Sequence, residues 1–96
     1  MKNYKITGKT NSWIAQRDAT FKGRTEIVIE EGLSLREAQK MLLSMYNKDY
    51  EDERSYCPNW GLAVIQSNRY GVGAYNTCGS RCYEYDSRVY TIEDEE

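Results

Sequence analysis

Ser34-Leu35-Arg36-Glu37-Ala38-Gln39-Lys40-Met41-Leu42-Leu43-Ser44-Met45-Tyr46 decides the fold class of this 96-residue chain. Its first four residues have the Ser-x-x-Glu form of a capping box. In that motif the Ser34 hydroxyl accepts from the Glu37 amide, and the Glu37 side chain reaches back to the Ser34 amide. Leu33 and Ala38 stand where a hydrophobic staple forms, although alanine makes a weak one. Leu35, Ala38, Leu42, Met45 and Tyr46 recur at helical spacing, with Met41 and Leu43 at the edges. Arg36, Glu37, Lys40, Ser44 and Asn47 fall opposite. The pattern predicts an amphipathic helix of about four turns. It is expected to fray through the polar Asn47-Lys48-Asp49-Tyr50-Glu51-Asp52-Glu53-Arg54, and Pro58 is the last point at which it can end.

Outward from the helix the chain reads as strand and turn. Tyr4 and Ile6 alternate with Lys5 and Thr7, and Trp13-Ile14-Ala15-Gln16 reads as a second strand. Phe21, in the connection that follows, is expected to tuck under the sheet. Thr25-Glu26-Ile27-Val28-Ile29-Glu30 alternates most clearly, and Gly32 is expected to turn the chain into the helix. Beyond Pro58, the apolar run Trp60-Gly61-Leu62-Ala63-Val64-Ile65-Gln66 predicts a central strand. Residues 68–80, with Gly71, Gly73 and Gly79, read as a loop or an irregular strand pair. Arg81-Cys82-Tyr83-Glu84-Tyr85 and Arg88-Val89-Tyr90-Thr91-Ile92 read as a closing hairpin around Asp86-Ser87.

The fold class is therefore α+β: a mostly antiparallel sheet of five to six strands with one amphipathic helix on it, in the order β-β-β-α-β-β-β. Residues 1–92 form a single domain and residues 93–96 an acidic tail. A helix of about four turns cannot cover a sheet more than about 20 Å wide. Either the sheet curls, or a patch carrying Tyr83, Tyr85 or Tyr90 is left to the Gly-rich segment or to another molecule.

Composition favours a surface-displaying protein. Tyr occurs nine times against one Phe and two Trp, and its ring packs while its hydroxyl stays wet. No apolar run suits a signal peptide or a membrane span, so the expected setting is the cytoplasm, with no membrane partner. The net charge of −2 is uneven: residues 1–29 carry +4, residues 30–54 carry −3, and the last four residues carry −4.

Cys57, Cys78 and Cys82 fall within 26 residues, each in or beside a turn-forming cluster. A Cys-x3-Cys pair plus a distant Cys supplies three soft ligands for a structural Zn2+, with Asp52, Glu53, Asp86 or water as the fourth. Unmetallated thiols and a Cys78–Cys82 disulfide remain the alternatives, the latter disfavoured in a reducing compartment. With no histidine, no phosphate loop and no carboxylate pair in an apolar setting, no enzyme motif is present.

Two binding readings follow. Lys2, Lys5, Lys9, Arg17, Lys22 and Arg24, with Tyr4 or Trp13 as stacking faces, suit a nucleic-acid-binding module, although the acidic total argues against direct binding. Asp49, Tyr50, Glu51, Asp52 and Glu53, with the tail and with Tyr83 and Tyr85 nearby, suit a protein-binding inhibitor that offers carboxylates to a basic groove. In its small size, acidity, tyrosine content and lack of histidine, the chain resembles the phage-encoded anti-CRISPR proteins that inhibit the type II RNA-guided nuclease. The Cys57, Cys78 and Cys82 set is similar in kind to a zinc site in one class of them. The resemblance implies a non-enzymatic inhibitor that binds the nuclease and blocks loading of guide or target nucleic acid in its positively charged channel.

Overall fold

The computed structural model describes residues 3–56, 63–77 and 88–95. The elements run β1 (Tyr4–Thr10), α1 (Ser12–Arg17), β2 (Glu26–Leu33), α2 (Leu35–Tyr56), β3 (Val64–Asn68), β4 (Gly71–Asn76) and β5 (Arg88–Asp94). The strands form one antiparallel sheet in the order β2-β1-β5-β4-β3. This is the expected α+β architecture, with five strands.

The capping box forms as its sequence implies. The Glu37 amide donates to Ser34 Oγ at 3.1 Å, and the Ser34 amide donates to Glu37 Oε1 at 2.9 Å. Instead of fraying after four turns, α2 runs for 22 residues, about 33 Å. The polar segment stays helical because one side of it still meets the sheet. Tyr46 and Tyr50 pack against the core, and the Tyr75 hydroxyl donates to Asp49 Oδ2 at 2.7 Å.

Residues 13–16, read as a strand, are a helix. Asn11 caps it, its side chain accepting from the Ile14 amide at 2.9 Å. Arg17 lies one turn beyond Trp13, stacks 4.1 Å from its ring and donates to its carbonyl. The short apolar run hid the period; the cap residue was the available signal. Ile14 and Ala15 are buried, and Phe21, as expected, is fully enclosed.

The register sets the core face. Ile6 lies opposite Ile92 and Gly8 opposite Tyr90, while Tyr90 pairs with Tyr75. These side chains meet Ala38 and Leu42 of α2, and Ala15 and Phe21 from the connection between β1 and β2, in one cluster. The second cover that one helix could not supply is therefore α1 with Phe21. Tyr90 is 7% exposed, so it belongs to this core and not to an open patch. A Cβ on Gly8 would lie 3.0 Å from the Tyr90 ring and 3.4 Å from Phe21, so a side chain there would press on both rings.

Further expectations change. β3 is an edge strand among the described residues, pairing with β4 only, and Val64 is exposed. The glycine-bearing segment supplies β4 and a hairpin to β3. Gly32, with φ of +72°, lies within β2 and not after it, and Glu93 and Asp94 belong to β5 rather than to a loose tail. The first arm of the expected closing hairpin, residues 81–85, and the apolar residues 60–62 lie outside the described residues. No helix among the described residues is long and apolar enough to cross a membrane.

The capping box makes a pH-dependent contribution. The Ser34 amide, and then its hydroxyl, hold the Glu37 carboxyl below its ordinary value, against a small opposing effect of burial. A lowered folded-state pKa stabilises the protein above the unfolded value, and that stabilisation is lost as pH falls through the folded value. Urea unfolding from about pH 5 down to about pH 3 should therefore show a steeper loss for the wild type than for Glu37→Gln, which keeps the box but does not titrate there.

Candidate interaction surface

β1 has β2 on one side and β5 on the other, and Tyr4 pairs with both Leu33 and Asp94. The end of β2 and the end of β5 thus emerge side by side. The Gly32 amide donates to Glu95 Oε1 at 2.8 Å, and the Glu95 amide donates to the Asn3 carbonyl at 3.2 Å. A carboxylate on an amide is a charge-assisted bond, and this one ties the last described residue across β1. It brings Glu30 and Glu31 to the same end of the sheet as Glu93, Asp94 and Glu95.

These carboxylates differ in their surroundings. Glu30 and Glu31 are exposed and make no ion pair among the described residues. Asp94 is answered by Arg69, whose Nη2 lies 3.0 Å from Oδ2. Arg69 also sits 4.9 Å from the Tyr70 ring, and the Tyr70 phenol is raised above its ordinary value, first by desolvation and next by Asp94. Glu93 faces Lys5 across the register. Among the described residues, no group of three or more carboxylates or thiols is close enough to hold a metal ion.

The acidic helix segment is less acidic in space than in sequence. Asp49 turns toward the sheet and is held by Tyr75, and Tyr50 is half-buried with its ring 5.8 Å from Tyr46. Glu51 and Asp52 are exposed, but Lys48 and Arg54 share that exposure, and Arg54 lies 3.9 Å from Glu51. Glu53 lies within α2, its side chain outside the described set. Cys57, Cys78, Cys82, Tyr83 and Tyr85 lie outside the described residues. Asp49 stands about 21 Å along the helix from Leu35, so the helix segment and the tail form two surfaces and not one.

The basic N-terminal third is likewise divided. Lys5, Lys22 and Arg24 line one groove, Arg17 lies on Trp13 elsewhere, Lys9 pairs with Glu26 at 3.8 Å, and Tyr4 packs edge-on against Tyr70 at 5.6 Å. No family model matches the chain, and no match is found among curated proteins or solved structures.

Asp49 is thus a structural carboxylate. Tyr75→Phe removes a hydrogen bond to a charged acceptor and should lower stability by about 1–2 kcal/mol in urea unfolding, with the fold retained. An unchanged midpoint would return Asp49 to the set of residues free to meet a partner.

Proposed function

We propose that this chain is a non-enzymatic, protein-binding inhibitor of the anti-CRISPR kind, acting in the cytoplasm on a nucleic-acid-handling nuclease. The observation that carries the reading is the Gly32–Glu95 hydrogen bond, which joins two acidic runs far apart in sequence into one surface. A protein that must load guide or target nucleic acid keeps a positively charged channel. Exposed, unpaired carboxylates at the tip of a rigid sheet compete for such a channel, and charge complementarity speeds the encounter and selects the partner. Glu30 and Glu31 are the principal contacts in this reading, Glu95 holds the two runs together through Gly32, and Glu51 and Asp52 are secondary.

A structural Zn2+ at Cys57, Cys78 and Cys82 belongs to the same proposal. Its support is the spacing of the thiols, together with hydrogen bonds between Thr77 and Arg88, the described residues that flank Cys78 and Cys82 in sequence. The Thr77 amide donates to the Arg88 carbonyl at 2.9 Å, and the Arg88 amide donates to Thr77 Oγ1 at 3.0 Å. In a small domain such a metal would add cohesion that the core does not supply.

The test is a DNA-cleavage assay with a type II RNA-guided nuclease, the chain being added before or after guide loading, with metal content measured on the same protein. The wild type should inhibit when added first. Glu30→Lys with Glu31→Lys should weaken inhibition by about tenfold or more, and Glu51→Lys with Asp52→Lys by clearly less. Absence of inhibition, or equal loss from both pairs, would reject the assigned surface. About one zinc per chain, lost with Cys78→Ser and Cys82→Ser, is the expected metal result.

A further inference from the structure

An open groove of about 620 Å³ lies on the sheet beside the connection between α1 and β2, with Lys5, Thr7, Lys22, Arg24, Glu26 and Glu93 among its lining residues. Its cations differ from several others among the described residues, although Arg36, Lys40 and Lys48 of α2 likewise face no carboxylate. Lys9, Arg54, Arg69 and Arg88 each face a carboxylate within 4 Å, and Arg17 stacks on Trp13. Among the described residues, Lys5, Lys22 and Arg24 have no ion pair and no side-chain hydrogen bond. Glu26 already has Lys9 at 3.8 Å, and Glu93 stands opposite Lys5 in the strand register. What remains uncompensated is the pair Lys22 and Arg24, two positive charges on alternate residues at the groove's rim.

The backbone that presents them is held from several sides. Lys22 has φ of +52° and Gly23 φ of +82°. For a lysine this left-handed conformation costs roughly 1–2 kcal/mol, so it persists only where the surroundings enforce it. They do: the Lys22 amide donates to the Asp18 carbonyl at 3.3 Å, the Gly23 amide to Ala15 at 2.7 Å and the Arg24 amide to Phe21 at 2.9 Å, while Phe21 itself is fully buried. The rim is therefore a preorganised cationic element and not a free loop.

We propose that this groove is a binding site for a phosphate group, with Lys22 and Arg24 as its charge contacts and Lys5 at its floor. Two uncompensated cations call for a ligand of two negative charges. A single carboxylate leaves one of them unanswered, whereas a phosphate monoester carries about −1.5 to −2 at neutral pH and offers three acceptor oxygens. A guanidinium beside an ammonium suits that shape, the first binding in a fork and the second as a point charge. The volume falls in the range of small-ligand sites, so the phosphate monoester can arrive on a small molecule or at the phosphorylated end of a nucleic-acid strand. The inference stands apart from the inhibitor reading, since it uses none of Glu30, Glu31, Glu95, Glu51 or Asp52.

The experiment is amide chemical-shift titration of the full chain with inorganic phosphate in a phosphate-free buffer, with acetate and chloride at matched ionic strength beside it. Saturable shifts centred on residues 20–26 and on Lys5 and Thr7, absent with acetate and chloride, are expected. Lys22→Asn, chosen because asparagine tolerates the left-handed conformation, and Arg24→Gln should each weaken binding by about tenfold. Lys48→Gln, on the exposed side of α2, should leave it unchanged. A dispersed spectrum for each variant separates loss of the site from loss of the fold. A short 5′-phosphorylated oligothymidylate that binds the same amides more tightly than phosphate would assign the phosphate to the end of a nucleic-acid strand; weaker or no competition would assign it to a small phosphorylated ligand. Absence of saturable shifts, equal response to acetate, or indifference to both substitutions would overturn the proposal.

Discussion

Tyr75 joins the two layers of this protein. Its ring stacks on Tyr90 at 5.0 Å and meets Tyr46 edge-on at 5.9 Å, and its hydroxyl is bound to Asp49 at 2.7 Å. Tyr90 passes the contact on to Phe21 at 6.3 Å. One aromatic row thus ties α2, two central strands and the connection after α1. Each such ring pair contributes about 0.5–1.5 kcal/mol beyond its buried area, a large share in a domain with so few enclosed aliphatic side chains. Several local features follow from it. A side chain at Gly8 would press on Tyr90, α1 must place Ala15 against the same cluster, and α2 must continue past its apolar stripe to bring Asp49 to the tyrosine hydroxyl.

The same row explains why charge is sorted to the surface as it is. Tyrosine fills the core, so the carboxylates that would have made the helix exit an acidic patch are partly drawn inward, at Asp49, or interleaved with Lys48 and Arg54. Exposed acid lies instead at the end of the sheet, at Glu30 and Glu31, while Lys22 and Arg24 stand at a groove beside β1. A net charge of −2 conceals these two opposite regions. Because potentials add over the surface, their separation matters more to a charged partner than the total does.

Much of the fold was legible in the chain. Ser34 and Glu37 announce the helix start through a local motif that needs no tertiary support, and Ile27 and Ile29 show the strand period plainly. What was hidden depended on distant residues. The helix continues through residues 47–56 because Tyr75, on a strand read as irregular, receives Asp49. The segment at residues 13–16 is helical because Asn11 caps it and Phe21 closes over it, which outweighs the strand preference of a short apolar run. Gly71 and Gly73 mask β4, since glycine removes the alternation by which strands are read. The acid end was half visible: the tail and Glu30-Glu31 are both obvious acidic runs, but their meeting follows from Tyr4 pairing with Leu33 on one side and Asp94 on the other, a register no local pattern contains.

Amide hydrogen exchange of the chain alone and bound to the type II RNA-guided nuclease tests the central claim, that the end of the sheet is the surface a partner meets. Slowed exchange on binding at residues 30–33 and 93–95, with residues 47–52 of α2 unchanged, is the predicted result. Protection confined to α2, with the Gly32 and Glu95 amides exchanging as in the free chain, would contradict it.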